Sequence, residues 1–286
     1  MVIQNALTVD VEDYFHVSAF AKSINQQDWD KYPLRVGNNT RRLLDLFDEY
    51  EVKATFFVLG WVAERARDLV KEIANRGHEV ACHGYSHQLV YNQSPEVFRE
   101  ETFRSKHLLE DIAQTPIRGY RAASYSITSR SLWALDILAE AGFDYDSSIF
   151  PVRHDRYGIP DAPEFPYRMK TQDGHLLVEF PLSTAKLFQY RLPVAGGGYF
   201  RLYPYAITKA GLSQINRRQQ PFIFYLHPWE IDPDQPRISA KWFSRFRHYN
   251  NLGKCEARLH HLLSDFKFGT SESVLTSLGL INRIEQ

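Results

Sequence analysis

Short, unbroken apolar runs that alternate with helical periodicity constrain this 286-residue chain more than any other feature. Residues 53–60 and 221–228 are apolar along most of their length, whereas residues 40–51 and 205–218 repeat apolar positions at helical spacing. Strands without polar alternation are buried on both faces, and the intervening helices cover those faces in a parallel sheet. The pattern therefore predicts an α/β fold, either a (β/α) barrel or a doubly wound sheet.

The regular pattern lapses between about residues 151 and 200, where prolines and an AGGGYF stretch interrupt the chain. We interpret this segment as long loops around one or two strands at the rim of a site. We assign residues 1–235 to one barrel domain that includes this irregular insert. Residues 236–286 then form a C-terminal extension, whose amphipathic helix we expect to pack on the barrel.

Composition excludes several classes of partner. The formal net charge is zero and basic residues are scattered, so no nucleic-acid partner is expected. Cys82 and Cys255 are too far apart in sequence for a disulfide framework or a metal knuckle. The first residues lack a secretory signal and no apolar window could span a bilayer, which predicts a cytoplasmic protein. Any membrane association would come through a biosynthetic complex, and the oligomeric state stays open.

The stretch VDVEDYFH, residues 9–16, crowds acids at the end of the first predicted strand. Alternate strand residues share a face, so Asp10 and Glu12 point the same way and Asp13 points to the other face. A sharp turn after Val11 would bring Asp13 inward instead. Either Glu12 or Asp13 is therefore a candidate metal ligand, and we interpret His16 as a rim or structural residue.

Further polar residues stand where other strands end, which is the edge at which α/β proteins form their sites. His83 and His87 have the spacing that lets two imidazoles converge on one cation, although loop histidines give such a pair by chance. Arg121 could hold a carboxylate ionised through two parallel hydrogen bonds. His227 follows a strongly apolar strand, where it either caps the strand or takes part in chemistry.

Taken in order, these clusters resemble the five motifs of the NodB-homology polysaccharide deacetylases, carbohydrate esterase family 4. The matching stretches are TVDVEDYF, HGYSH, GYRAASYS, FDYDSS and FYLHP. The resemblance implies a distorted (β/α)7 TIM-like barrel with a C-terminal helical extension. That extension resembles the extra segment of a bacterial subgroup associated with exosortase and exopolysaccharide loci.

The resemblance also implies a mechanism on N-acetylated amino sugars of a polysaccharide or glycan precursor. Asp10 would be the general base tethered by Arg121, and His227 the general acid oriented by Asp146. A divalent metal, usually zinc, with cobalt, nickel and manganese as alternatives, would be held by His83, His87 and Glu12 or Asp13. Oxyanion and substrate contacts would come from Ser124, Tyr125 and Trp229.

The chain departs from the family pattern at two points. Ala123 stands where the third motif usually has proline, and Val11 separates two acids that most members place side by side. Some relatives with the acid–x–acid pattern act on ureides or cyclic imides, so an allantoinase-like amidohydrolase is the alternative enzyme. A barrel that binds glycan without catalysis is a third hypothesis. Arg121, both histidines and an acidic third ligand favour the deacetylase.

Overall fold

The computed structural model describes residues 2–154 and 156–282. The strands are, in chain order, β1 (Gln4–Val11), β2 (Thr55–Val58), β3 (Glu79–Cys82), β4 (Gly119–Tyr120), β5 (Tyr145–Asp146), β6 (Tyr167–Lys170), β7 (Leu176–Glu179), β8 (Thr184–Leu187), β9 (Tyr190–Pro193), β10 (Ile223–Leu226) and β11 (Lys267–Gly269). The helices are α1 (Val36–Glu49), α2 (Gly60–Arg65), α3 (Arg67–Asn75), α4 (Pro95–Ala113), α5 (Trp133–Glu140), α6 (Gly197–Leu202), α7 (Tyr205–Arg217), α8 (Trp242–Tyr249), α9 (Leu252–Asp265) and α10 (Ser271–Ser277). No described helix is long and apolar enough to cross a membrane.

The main sheet runs in the order β10-β1-β2-β3-β4-β5-β7, with every neighbouring pair parallel. This arrangement confirms the predicted α/β fold of the distorted barrel type. Among the described residues, β7 and β10 do not pair directly. The gap between them is bridged where the Ile223 amide donates to Ser183 Oγ at 2.9 Å and where Gly196 pairs with Tyr225.

The segment between residues 151 and 200 contains more strand than the sequence predicted. β6 pairs antiparallel with β7, and β8 and β9 form a separate antiparallel hairpin. The prolines that suggested loops mark strand boundaries: Pro166 precedes β6, Pro181 follows β7 and Pro193 ends β9. Proline is tolerated at strand ends because no interior ladder hydrogen bond is lost there.

The C-terminal residues are built into the barrel. β11 pairs in parallel with the beginning of β1, where Gln4 lies opposite Lys267. The first turn of α10 is fixed to strand starts, since the Ser271 amide donates to Thr55 Oγ1 at 2.7 Å and the Glu272 amide to Glu79 at 3.1 Å. These contacts close the end of the barrel at which the strands begin and leave the opposite end open.

Candidate active site

Asp10 lies near the end of β1 and is held by a buried arginine. Arg121 Nη1 donates to Asp10 Oδ1 at 2.7 Å and to Thr8 Oγ1 at 2.8 Å, and its Nη2 donates to Ser147 Oγ at 3.0 Å. Both partners of the ion pair are almost completely buried. The pair has one hydrogen bond rather than the two parallel bonds expected, because the other guanidinium nitrogens bind Ser147. Asp10 Oδ2 is left facing His227 Nε2 at 3.9 Å.

Glu12, His83 and His87 converge beside this pair, with their ligand atoms within 4.8 Å of one another. Glu12 Oε2 lies 2.6 Å from His87 Nε2. Burial alone would raise the pKa of Glu12, but the neighbouring imidazoles, His87 foremost, hold that pKa below its usual range. His87 reaches the cluster from a loop in which its φ is +53°, so a turn, and not a helix, brings it close to His83.

The cluster fits a divalent cation. His83 Nδ1 donates to the Arg121 carbonyl at 2.8 Å, which leaves its Nε2 lone pair free to act as a ligand. Burial lowers the pKa of His83 to about 4, so the ring is neutral near pH 7. The 2.6 Å contact with His87 Nε2 is not a well-directed hydrogen bond, so Glu12 Oε2 is buried without a donor among the described residues. Two imidazoles and one carboxylate are the donor set of catalytic metal sites with open positions.

The structure separates the two acids that the sequence left as alternatives. Asp13 points away from the histidines, and its Oδ2 accepts from the amides of Arg35 and Val36 at 2.7 and 2.8 Å. Asp13 therefore holds the beginning of α1, and burial raises its pKa to about 6. His16 is also structural: its Nδ1 accepts from the Asp13 amide at 2.8 Å while its ring packs among tryptophans.

His227 has a different partner from the one expected. Its Nδ1 donates to Glu230 Oε1 at 2.5 Å, and Glu230 Oε2 in turn accepts from Arg201 Nε at 2.7 Å. Burial alone would lower the pKa of His227, but the hydrogen bond to Glu230 and the nearby carboxylates raise it to about 9. Arg201 is buried and also donates to the carbonyl of His248 at 2.6 Å, at the end of α8.

Asp146, expected to orient His227, is occupied elsewhere. Its carboxylate accepts from Ser148 Oγ at 2.5 Å, and β5 pairs with β7 so that Asp146 lies opposite Glu179. Burial raises the pKa of Asp146 to about 6, and burial beside that charge raises the pKa of Glu179 well above its usual value. Asp146 thus belongs to a buried carboxyl pair within the sheet, and Glu230 takes its expected place.

An open cavity of about 400 Å³ is lined by Asp10, Glu12, His83, His87 and His227. Ser124 and Tyr125 lie on its wall with φ of +51° and +56°, a strained backbone conformation of the kind found at functional sites. Trp229 donates from its indole N–H to Glu12 Oε1 at 3.3 Å and stacks on His227. The sequence expectation gave Trp229 a substrate contact, and the geometry adds that it fixes the carboxylate. Helix α8 forms another part of the wall, through Phe243, Ser244, Arg247 and His248.

Two family models match consecutive parts of the chain. Residues 27–145 match the family model described as polysaccharide deacetylase. Residues 27–145 therefore form a polysaccharide deacetylase domain. Residues 147–276 match a second model, a domain of unknown function (DUF3473). His83, His87 and Arg121 lie within the deacetylase match, whereas Asp10 and Glu12 precede it and His227 belongs to the DUF3473 segment.

Individual relatives agree with this assignment. The chain is 36% identical over 74 residues to a peptidoglycan-N-acetylglucosamine deacetylase of Bacillus cereus, covering 26% of this chain and 27% of that protein. The chain thus spans about a quarter of the length of that relative. The deacetylase domain and the segment after it also share the fold of a Mycobacterium smegmatis protein assigned as a polysaccharide deacetylase. That crystal structure has a TM-score of 0.63 at 20% identity and covers 99% of this chain and 94% of the other.

The same fold occurs in a protein with another activity. The crystal structure of Puue allantoinase has a TM-score of 0.60 at 14% identity, and the comparison covers 98% of this chain and 91% of the other. Likeness at that identity shows the fold alone, because one fold hosts many functions. The reaction must therefore be argued from the residues of the site.

Proposed function

We propose that the chain is a metal-dependent hydrolase that removes N-acetyl groups from amino sugars of a polysaccharide or glycan precursor and releases acetate. One observation carries the proposal: a base candidate, a metal-ligand cluster and a protonated imidazole face one cavity. Asp10 is 3.9 Å and Glu12 3.5 Å from His227 Nε2. The deacetylase family match supports the same substrate class.

Glu12, His83 and His87 would hold the metal, for which zinc is the first candidate because two imidazoles and one carboxylate suit it. When bound, a divalent metal polarises the acetamido carbonyl and favours ionisation of water near neutral pH. His83 is kept neutral by burial, and its Nδ1 hydrogen bond fixes the ring with Nε2 toward the cluster. Trp229 restrains the Glu12 carboxylate through its other oxygen.

Proton transfer is assigned to Asp10 and His227, which lie beside the cluster. Asp10, kept in place by Arg121, accepts a proton from the water that attacks the acetamido carbon. His227 carries a proton near neutral pH, since its pKa is raised to about 9, and delivers it to the amine nitrogen as the carbon–nitrogen bond breaks. The products are acetate and a free amino sugar. Ser124 and Tyr125 would border the developing oxyanion on the cavity wall.

The test combines metal content with acetate release from an N-acetylated oligosaccharide. We expect one bound metal per chain. Asp10→Asn should lower the turnover by about 10²–10⁴-fold. Asp28→Asn, at a carboxylate paired with Lys31 on the surface, is the matched control and should leave turnover unchanged. Unchanged turnover in both Asp10→Asn and His83→Ala would refute the mechanism. Ureide products from allantoin without acetate release would instead identify the amidohydrolase alternative.

Two finer assignments stay proposals. The C-terminal segment resembles that of the exosortase-associated subgroup, which would place the enzyme in exopolysaccharide biosynthesis. The division into a barrel over 1–235 and an extension over 236–286 is supported by α8 and α9, which follow β10, whereas β11 of the extension pairs with β1 of the barrel. Detection of the amino sugar in an exopolysaccharide made with the active enzyme, and its absence with Asp10→Asn, would test the first assignment.

A further inference from the structure

Helix α8 exposes three aromatic side chains and buries a histidine. Trp242, Phe243 and Phe246 are 75%, 54% and 47% exposed, whereas His248 is 2% exposed. At 100° per residue, Trp242 and Phe246 share one face and Phe243 adjoins them. These three side chains form an exposed aromatic stripe. An ordinary surface helix has the opposite arrangement, and contiguous exposed apolar surface marks an interaction site.

Positive charge is concentrated around the aromatic stripe. In a chain with 34 basic and 34 acidic residues, the stretch between Asp234 and Glu256 contains no acid. Its basic residues are Arg237, Lys241, Arg245, Arg247 and Lys254. Glu256, at the end of the stretch, pairs with Arg42, and Asp232, two residues before Asp234, pairs with Arg35.

The cations flank the stripe on α8 itself. Helical geometry places Arg247 beside Phe243 on one side of the stripe and Arg245 on the other side, next to Trp242. Arg247 lies over the Phe243 ring, with its Cζ 5.5 Å from the ring centroid. Phe243 and Arg247 also line the proposed active-site cavity. Whatever binds the stripe therefore lies at the mouth of that cavity.

We propose that α8 docks on the surface of a bilayer containing anionic lipid, so that the cavity receives an acetamido sugar carried on a lipid. Exposed aromatic side chains enter the headgroup boundary, and flanking Lys and Arg are attracted to anionic headgroups. A neutral glycan stacking on the rings would not require the surrounding cations. The assignment of a lipid-carried substrate rests on the proposed deacetylase function, whereas the docking itself does not.

The experiment is co-sedimentation of the full chain with phosphatidylcholine vesicles, with and without phosphatidylglycerol, at low and high salt. We expect binding that needs the anionic lipid and weakens with salt. Trp242→Ser with Phe246→Ser should lower partitioning by at least about tenfold. Arg245→Gln should lower it about fivefold, the equivalent of one basic residue near an anionic surface.

Matched controls lie on α7, where Ile207 is 45% exposed. Ile207→Ser and Arg217→Gln should bind vesicles like the parent chain. Equal loss in these controls, or no binding to anionic vesicles, overturns the docking proposal while leaving the deacetylase reaction intact. Acetate release from a soluble oligosaccharide should be unchanged in Trp242→Ser with Phe246→Ser. If that turnover falls while vesicle binding persists, the stripe is a glycan-binding surface and the docking proposal is also overturned.

Discussion

Replacing Glu230 with glutamine should shift the alkaline limit of activity without abolishing it. Glu230 is fully buried and receives the Nδ1 hydrogen of His227 at 2.5 Å. Hydrogen bonds to charged groups contribute about 1.5–3 kcal/mol, and one pKa unit corresponds to about 1.4 kcal/mol. Loss of the carboxylate charge should therefore lower the pKa of His227 from about 9 by roughly one to two units.

The size of the effect depends on the pH at which it is measured. With the pKa lowered to about 7.5, the protonated fraction of His227 at about pH 8.5 falls by roughly eightfold, whereas at about pH 6.5 it falls by only about a tenth. Acetate release should follow these fractions because the acid must be protonated to assist departure of the amine. The assay is kcat measured from about pH 6 to 10 on an N-acetylated oligosaccharide.

Two further measurements serve as controls for the Glu230→Gln experiment. Glu256→Gln, at an exposed carboxylate paired with Arg42, is the matched control and should keep the parental profile. Thermal unfolding should show that Glu230→Gln remains folded, since the amide oxygen still accepts from Arg201. A folded variant with normal activity at about pH 6.5 and an unshifted alkaline limb would refute the role assigned to the Glu230–His227 pair.

Three other perturbations test the structure. Glu12→Gln should lower metal content with little change in stability, whereas Asp13→Ala should cost about 3 kcal/mol of stability because it removes the acceptor of buried amides. Metal analysis and calorimetry measure the two effects, and the reverse pattern would exchange the roles of Glu12 and Asp13. Gly196→Ala should cost at least about 3 kcal/mol in urea unfolding, since its φ is +129° and a Cβ would meet a β10 carbonyl at 1.9 Å. Gly253→Ala, with open space around it, should be neutral or stabilising by up to about 1 kcal/mol; equal losses would contradict the packing. Burial lowers the pKa of His16 to about 3, so its contribution to stability is present above about pH 6.5 and lost as the pH falls. His16→Gln should reduce the slope of stability against pH on the acid side by up to about 1.4 kcal/mol per pH unit, and an unchanged slope would assign the titration to another group.

The sequence predicted the class of fold and the edge of the sheet that carries the site. Asp10, His83 and His227 all follow or end apolar strands, and parallel strands bring such ends together. Strand parity also favoured Glu12 over Asp13. Parity alone could not exclude a sharp turn, because that choice depends on whether the α1 amides need Asp13 as their acceptor.

The partner of His227 was missed although its signal was local. Glu230 follows His227 by three residues across a proline-initiated turn, the spacing at which a side chain folds back on the residue that begins a helix. Family resemblance directed attention to Asp146 instead. That acid is removed from the site by its position opposite Glu179, and pairing between β5 and β7 is a long-range event that no local pattern records. Arg201 could not be predicted from the sequence either, because its contacts with Glu230 and His248 are also long-range.

The position of β11 has a consequence for how the chain is made. β1 carries Asp10 and lies between β10 and β2, and β11 adds to its first residues. The Gln4 side chain donates a hydrogen bond to the carbonyl of Phe268, which lies 264 positions later in the chain. At roughly 5–20 residues per second of synthesis, the edge of this almost wholly buried strand that pairs with β10 stays unpaired for about ten seconds or longer. The barrel therefore forms in full only after release of its last strand from the ribosome, and until then β1 is the segment that a chaperone has most reason to shield.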